Sequence, residues 1–365
     1  MTEALGMMLP GGAAIPAVYA ERLRHGESAG KRAVGLAEEG LKPSKIMTSA
    51  AFKNALRVLL AVGGSTNGII HITAVAGRLG IEVDLASFDE MGKETPVLID
   101  LKPSGQYYMD DLYRAGGLGA ILRELKPLLN LDCLTITGRT LGEEIDASPE
   151  AFSQNVVFPI DNPIFQGGGI AYLTGNLAGD GAILKQSAAT QDLLVHSGRA
   201  VVFDSLEDLA LRIDDPELDV VKGDVLILRN AGPKGAPGMP EAGYIPIPKK
   251  LAEQGVKDMV RISDCRMSGT AFGTIILHAS PEAAVGGPLS LVRTGDIVHL
   301  NAPERTLTME VDAAELEKRR EAWVPPGTTT ANRGYRKLFL DSVMQANEGV
   351  DFEFLTQRPY IEKVP

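Results

Sequence analysis

Up to about residue 160, apolar residues recur at helical spacing. Residues 13–36, 49–61 and 67–79 have helical composition and period, and 109–129 predicts two further helices. Gly and Pro stand where these segments must end. After about Gln154 the pattern changes. Glycines cluster at Gly167, Gly168 and Gly169 and at Gly175, Gly179 and Gly181. Strand-like runs then dominate, at 200–203, 224–228, 274–277 and 296–300. Residues 306–312 alternate, with Leu307, Met309 and Val311 on one face. Helices near 205–213 and 313–322 interrupt them. There is no internal repeat. The pattern predicts an α-rich piece, residues 1–164, followed by a β-rich domain, residues 165–365, built as a barrel or sandwich.

Composition narrows the function classes. The 365 residues suffice for two domains with a sizeable core. The net charge of −11, without a long basic tract, gives a nucleic-acid-binding role no support. It does not exclude an anionic substrate, because a local site can be positive within a negative protein. No apolar run reaches the length that spans a bilayer, and no secretory pattern opens the chain. Two cysteines, Cys133 and Cys265, are too few for a disulfide framework. A reducing cytoplasm is the simplest expectation.

The segment 261–273, Arg-Ile-Ser-Asp-Cys-Arg-Met-Ser-Gly-Thr-Ala-Phe-Gly, carries the sharpest candidate chemistry. It sets Ser268 and Thr270 in a glycine-punctuated turn, where a substrate can approach the backbone and successive amides can form an anion nest. Alone, Ser-Gly-Thr also reads as a turn or helix cap. Arg266 offers a fork for a substrate carboxylate or a partner for Asp264. Glu241 ends a glycine- and proline-rich loop that begins at Asn230, where it is either a solvated glutamate or a ligand for a hard cation. Ser65 and Thr66 precede the third helix and can cap it, or present amides to an anion. No Gly-Lys-Ser/Thr ending follows, so a phosphate loop is excluded. His71, on an apolar helix, reads as a packed, hydrogen-bonded histidine. His278 and His299 have no metal-ligand spacing and receive no role. Lys102 to Gly105 reads as a turn, and Asp110-Asp111 as a helix start.

The same segment resembles the signature of the dihydroxy-acid and sugar-acid dehydratases. Gly63-Gly-Ser-Thr-Asn67 with His71, Leu101-Lys-Pro-Ser-Gly105, Asn162-Pro-Ile-Phe165, Gly175-Asn-Leu-Ala178 and Gly235-Ala-Pro-Gly-Met-Pro-Glu241 resemble further motifs of that family, in the right order. The resemblance implies the C-terminal part of an α/β dehydratase domain, then a β-barrel domain with flanking helices, similar to aconitase's mobile domain. It implies a hydro-lyase that converts a 2,3-dihydroxy carboxylic acid to a 2-oxo-3-deoxy acid. Ser268 would be the base, assisted by Thr270; Glu241 would be a magnesium ligand; and Ser65, Thr66 and Arg266 would face the substrate. The stretch 333–355 resembles the sugar-acid branch, so an aldonate such as a pentonate is the first expectation. Dihydroxy-acid dehydratase of branched-chain amino-acid synthesis is the alternative.

The resemblance also implies parts that this chain does not show. The family's iron–sulfur cluster, expected as 2Fe–2S, takes cysteines from segments that precede the stretch matching residues 1–12, as do most magnesium ligands. Neither Cys133 nor Cys265 sits at a cluster-ligand position. Cys133 reads as a core thiol, and Cys265 alone cannot hold a cluster. The expectation is a chain truncated at its N-terminus and inactive alone. A chain that works with a separate N-terminal fragment, or a non-catalytic assembly subunit, are the alternatives. A homodimer or dimer of dimers is expected from the family.

Overall fold

The computed structural model describes residues 1–149, 152–269 and 271–365. These fall into two compact units. Met1–Gly64, Leu79–Gly169 and Pro359–Pro365 make up the first; Ser65–Arg78 and Ile170–Arg358 make up the second. The division is therefore discontinuous in sequence, whereas the sequence pattern suggests a single cut.

The first unit is helical. Its centre is Ser49–Ala61, the span that the periodicity predicts. Ala51, Phe52, Leu56 and Leu60 of this helix are fully buried, and Thr48 caps it by accepting the Ala51 N–H at 3.3 Å. Leu85–Glu94, Met109–Arg114, Gly117–Leu125 and Leu141–Ala147 are the neighbouring helices. A short strand β1 (Ile81–Val83) pairs in parallel with β10 (Glu362–Val364) near the carboxyl end of the chain. The first long helix is Ala20–Glu39, seven residues later than its spacing predicts. The Glu3 carboxylate accounts for the late start: it takes the N–H groups of Gly11 and Ala13 at 2.7 Å and holds the chain in turns there. As expected, Asp111 accepts the Tyr108 N–H at 2.8 Å at a helix start, and Gly105 donates to Leu101 across a turn at 2.8 Å.

The second unit contains a closed eight-stranded barrel with flanking helices. Its strands are β2 (Ala171–Gly175), β3 (Ala178–Leu184), β4 (Val195–Phe203), β5 (Val225–Leu228), β6 (Arg261–Ser263), β7 (Ile275–Leu277), β8 (Ile297–Asn301) and β9 (Thr306–Glu310). Their order around the barrel is β2-β3-β7-β6-β5-β4-β8-β9. The run β4-β5-β6-β7 is parallel, and β2-β3, β3-β7, β4-β8 and β8-β9 are antiparallel. Inside lie Leu173, Ala182, Leu184, Val202, Ile227, Ile262, Ile276, Val298 and Leu307. Each buried Val, Leu or Ile contributes roughly 1.5–3 kcal/mol. A second apolar layer, with Phe203, Leu226, Leu228 and Met259, covers the other face of the parallel strands. That two-faced burial explains why their sequence reads as short continuous apolar runs. Helices Leu206–Arg212 and Ala313–Glu321 fall where the sequence places them.

Strands β2 and β3 are hidden in the sequence by their glycines. Gly175 shows why glycine is needed there. It has φ +151°, and a Cβ on it would stand 2.1 Å from the Leu307 carbonyl oxygen. This is where β2 meets β9, through the single pair Thr174–Thr306, and closes the barrel. Gly175→Ala should cost at least about 1–3 kcal/mol by overpacking, plus backbone strain. Gly179→Ala, where a Cβ would meet nothing within 4 Å, is the control. Urea midpoints read both. Equal midpoints would mean that the closure gives way without cost.

Candidate active site

Three segments of the second unit converge around the signature. The first runs from Ser65 into the helix Asn67–Gly77. The second is the loop from Asn230 to Glu241. The third leaves β6 at Asp264 and passes through Ser268. The Asn67 side-chain amide joins all three, because its Nδ2 donates to a Glu241 carboxylate oxygen and, at 3.1 Å, to the Met267 carbonyl. Arg266 Nε donates to the Met239 carbonyl at 2.6 Å, and the Gly243 N–H donates back to the Arg266 carbonyl at 2.9 Å. Gly269 lies so close to Ser65 that a Cβ on it would stand 2.9 Å from the Ser65 Cβ. The turn bearing Ser268 therefore packs directly on the start of that helix. Ile70, Met239 and Ala346 form a small apolar cluster that fixes the helix to the loop.

Two buried carboxylates tie down the loop that carries Glu241. Asp264, fully buried, accepts the N–H groups of Asn230 at 3.1 Å, Ala231 at 3.0 Å and Ala283 at 2.9 Å. Glu282 accepts Lys234 N–H at 2.9 Å, Gly235 N–H at 2.9 Å and Gln345 Nε2 at 2.8 Å. Burial, then the neighbouring Glu282 charge, pushes the Asp264 carboxyl up to about 7, although its three amide donors pull the other way. Burial raises Glu282 as well. The loop they hold includes Asn230 and Met239 at positive φ, 60° and 48°, which it adopts only under such constraint.

The candidate residues take these positions. Ser268 is half-buried, and its carbonyl accepts the Ala271 N–H at 3.1 Å, closing a turn. Thr270 lies outside the described residues. Glu241 is exposed. Ser65 Oγ accepts the Asn67 N–H at 3.3 Å, so it, not Thr66, caps the helix. The Thr66 hydroxyl and Asn67 Oδ1 are buried without a partner. Arg266 bonds to a backbone carbonyl and Asp264 to backbone amides, so the pairing of one with the other is corrected: each fixes a different part of the loop. His71 is exposed, not packed, because it sits on the outward side of its helix. His278 is buried beside Arg266 with Nε2 unpartnered, and burial, then Arg266, pushes its ring down to about 3. It is a neutral imidazole at any ordinary pH. Asn67, Asp264 and Glu282 are the organising residues that sequence reasoning did not select. Asn67 stood inside a noted motif, but a lone glutamate at position 282 carries no local signal.

Neither cysteine has the character of a cluster ligand. Cys265 is fully buried, receives the Ser263 hydroxyl at 3.0 Å, and burial pushes its thiol up to about 12. Cys133 is half-buried, not a full core thiol, with Asn54 Nδ2 at 3.6 Å from its sulfur and its pKa raised by burial. A ligating thiol must deprotonate, and both environments oppose that. No helix among the described residues is long and apolar enough to cross a membrane.

The chain belongs to the dihydroxy-acid/6-phosphogluconate dehydratase family: the N-terminal family model matches residues 1–144 and the C-terminal model residues 155–350. Among its relatives, a dehydratase of Rhizobium meliloti (strain 1021) is 48% identical over 97% of this chain and 62% of its own length. The L-arabonate dehydratase of Azospirillum brasilense is 47% identical over 97% of this chain and 62% of its own length. A dihydroxy-acid dehydratase of Acetivibrio thermocellus is 43% identical over 97% of this chain and 63% of its own length. The chain thus spans about 62% of the length of the curated relatives it matches.

Proposed function

We propose that this chain forms part of a hydro-lyase that dehydrates a sugar acid, an aldonate of the pentonate type, to a 2-oxo-3-deoxy acid. The observation that carries the reading is that one amide, Asn67 Nδ2, bonds both to the Glu241 carboxylate and to the carbonyl of Met267, the residue before Ser268. Elimination needs a base for the C2 proton and a handle on the carboxylate and hydroxyl oxygens. Ser268, half-buried in its turn, is the group read as taking the first task. Thr270, two residues on, assists it. Ser65 and Arg266 stand at the same junction and are the residues read as facing the substrate, whereas Thr66 is buried behind them and serves only as a support of the helix start.

The oxygen donors here fit magnesium, which binds through one or two carboxylates and keeps water or substrate oxygens in its shell. Glu241 is an exposed carboxylate oriented by an amide, and Asn67 Oδ1 and Thr66 Oγ1 are unpartnered oxygens nearby. Among the described residues no group of three or more His, Cys, Asp or Glu gathers, so Glu241 supplies a single carboxylate. Bound there, magnesium would withdraw charge from the substrate's oxygens and acidify the C2 hydrogen. The two thiols do not fit an iron–sulfur cluster, and no step of this reading passes through one. Asn67 holds Glu241 toward the Ser268 turn, and Arg266 keeps the loop from moving away.

The aldonate reading is favoured over a branched dihydroxy acid by the C-terminal stretch 333–355 and by the 47% identity to an L-arabonate dehydratase against 43% to a dihydroxy-acid dehydratase. The test is 2-oxo acid formation by the protein isolated from its own host, from L-arabinonate and from 2,3-dihydroxyisovalerate. The expected kcat/KM ratio favours the aldonate by at least tenfold. A ratio reversed toward the branched acid would assign the enzyme to amino-acid synthesis. No product from either acid would sink the dehydratase reading.

A further inference from the structure

Lys185 is a buried cation with nothing to balance it. The residue is 5% exposed, and among the described residues no charged or hydrogen-bonding group acts on its ammonium. Burial lowers its pKa from the ordinary lysine value, and no neighbouring acid opposes that shift. Two residues on, the Ser187 hydroxyl is likewise buried without a partner. Buried charges are normally paired, because an unpaired ammonium out of water costs several kcal/mol. A largely buried lysine with no charged partner, followed two residues on by an unsatisfied buried hydroxyl, therefore asks for a missing partner.

Their place in the barrel points to what that partner touches. Ile183 pairs with Leu277 and Leu184 with Ile276. Leu184 and Ile276 fill the barrel interior, while Ile275, Leu277, Met267 and Ala271 cluster on the opposite face. Lys185 follows Leu184 and continues the alternation onto the face of Ile183 and Leu277. Beyond it, the Ala188 carbonyl accepts the Gly273 N–H at 3.0 Å, and the Thr190 N–H donates to Thr274 Oγ1 at 3.1 Å. Residues 185–190 thus run alongside the end of the segment that carries Ser268.

We propose that Lys185 is an anion-binding residue of this site, whose ammonium takes the carboxylate of the hydroxy acid, with the Ser187 hydroxyl as an auxiliary donor. The choice of carboxylate rests on the reading proposed above; the demand for an anion does not. A lysine kept for packing would be replaced by methionine with little change, whereas a lysine kept for a ligand costs stability when that ligand is absent.

Calorimetric titration of the purified chain with L-arabinonate, and separately with acetate at matched ionic strength, tests this together with Tm in each anion. Lys185→Met is expected to raise Kd for the carboxylate at least tenfold, to raise the ligand-free Tm by a few degrees, and to abolish the anion-dependent rise in Tm. Lys185→Arg should recover part of the binding. Acetate binding that depends on Lys185, without arabinonate binding, would keep the anion site and sink the sugar-acid reading. Carboxylate binding unchanged in Lys185→Met would overturn the proposal. A lower ligand-free Tm in that variant, or no carboxylate binding by the wild type, would also overturn it.

Discussion

On the proposed dehydratase reading, Ser268→Ala is expected to lower kcat by about 10²–10⁴, the range for losing a positioned general base. KM should change little. The substrate's carboxylate and hydroxyls are assigned to other groups, so the alanine removes an interaction that matters only while the C2 proton is moving. The fold should survive, since Ser268 is half-buried in a turn whose closing bond uses its backbone carbonyl. Solvent-exchange of the C2 hydrogen is the sharper readout. An alanine variant that still exchanges C2–H at the wild-type rate would place the base elsewhere. A variant that loses binding along with turnover would make Ser268 a substrate ligand instead.

Asp264→Asn should produce the largest loss of stability near the site. The Asp264 carboxyl group serves three buried amides; either of its oxygens, protonated or not, keeps a lone pair for a donor, whereas an asparagine replaces one of them with an NH2 that can only donate. Each unsatisfied buried donor costs roughly 1–3 kcal/mol, so a loss of about 2–4 kcal/mol is expected at pH 5. The deficit should depend on pH in a definite direction. The folded pKa is about 7 against an ordinary value of 3.8, so the folded state holds a proton that the unfolded chain releases. The stabilisation this gives the wild type is complete below pH 3.8 and is lost as pH rises through about 7. Asparagine does not titrate. The gap between variant and wild type should therefore narrow between about pH 4 and pH 7, as read by urea unfolding at each pH. A gap that widens would mean that the three amides hold Asp264 ionised well into the acid range. Because Asp264 also fixes Asn230 and Ala231, the variant should loosen the loop that ends in Glu241.

The helices 49–61, 205–213 and 313–322 and most barrel strands were legible because each buries a face with its own period, and that period is written locally. Strands β2, β3 and β6 were not: β2 and β3 carry glycines, which read as loop and which barrel closure demands at Gly175, and β6 is three residues that run straight into the signature turn. The signature around Ser268 was equally plain in the sequence, as was the Glu241 loop, since both are dense in turn residues. What only the tertiary structure decided is which groups share an environment. Residues 67, 241 and 267 meet through one amide across separations of up to 200 residues. Asp264 and Lys185 owe their character to burial, which depends on every neighbour in space and on no neighbour in sequence. Cys265 stands in the signature yet is an inert core thiol for the same reason. Residue identity sets which chemistry is available, and long-range packing sets which groups are dry, paired or left open for a ligand.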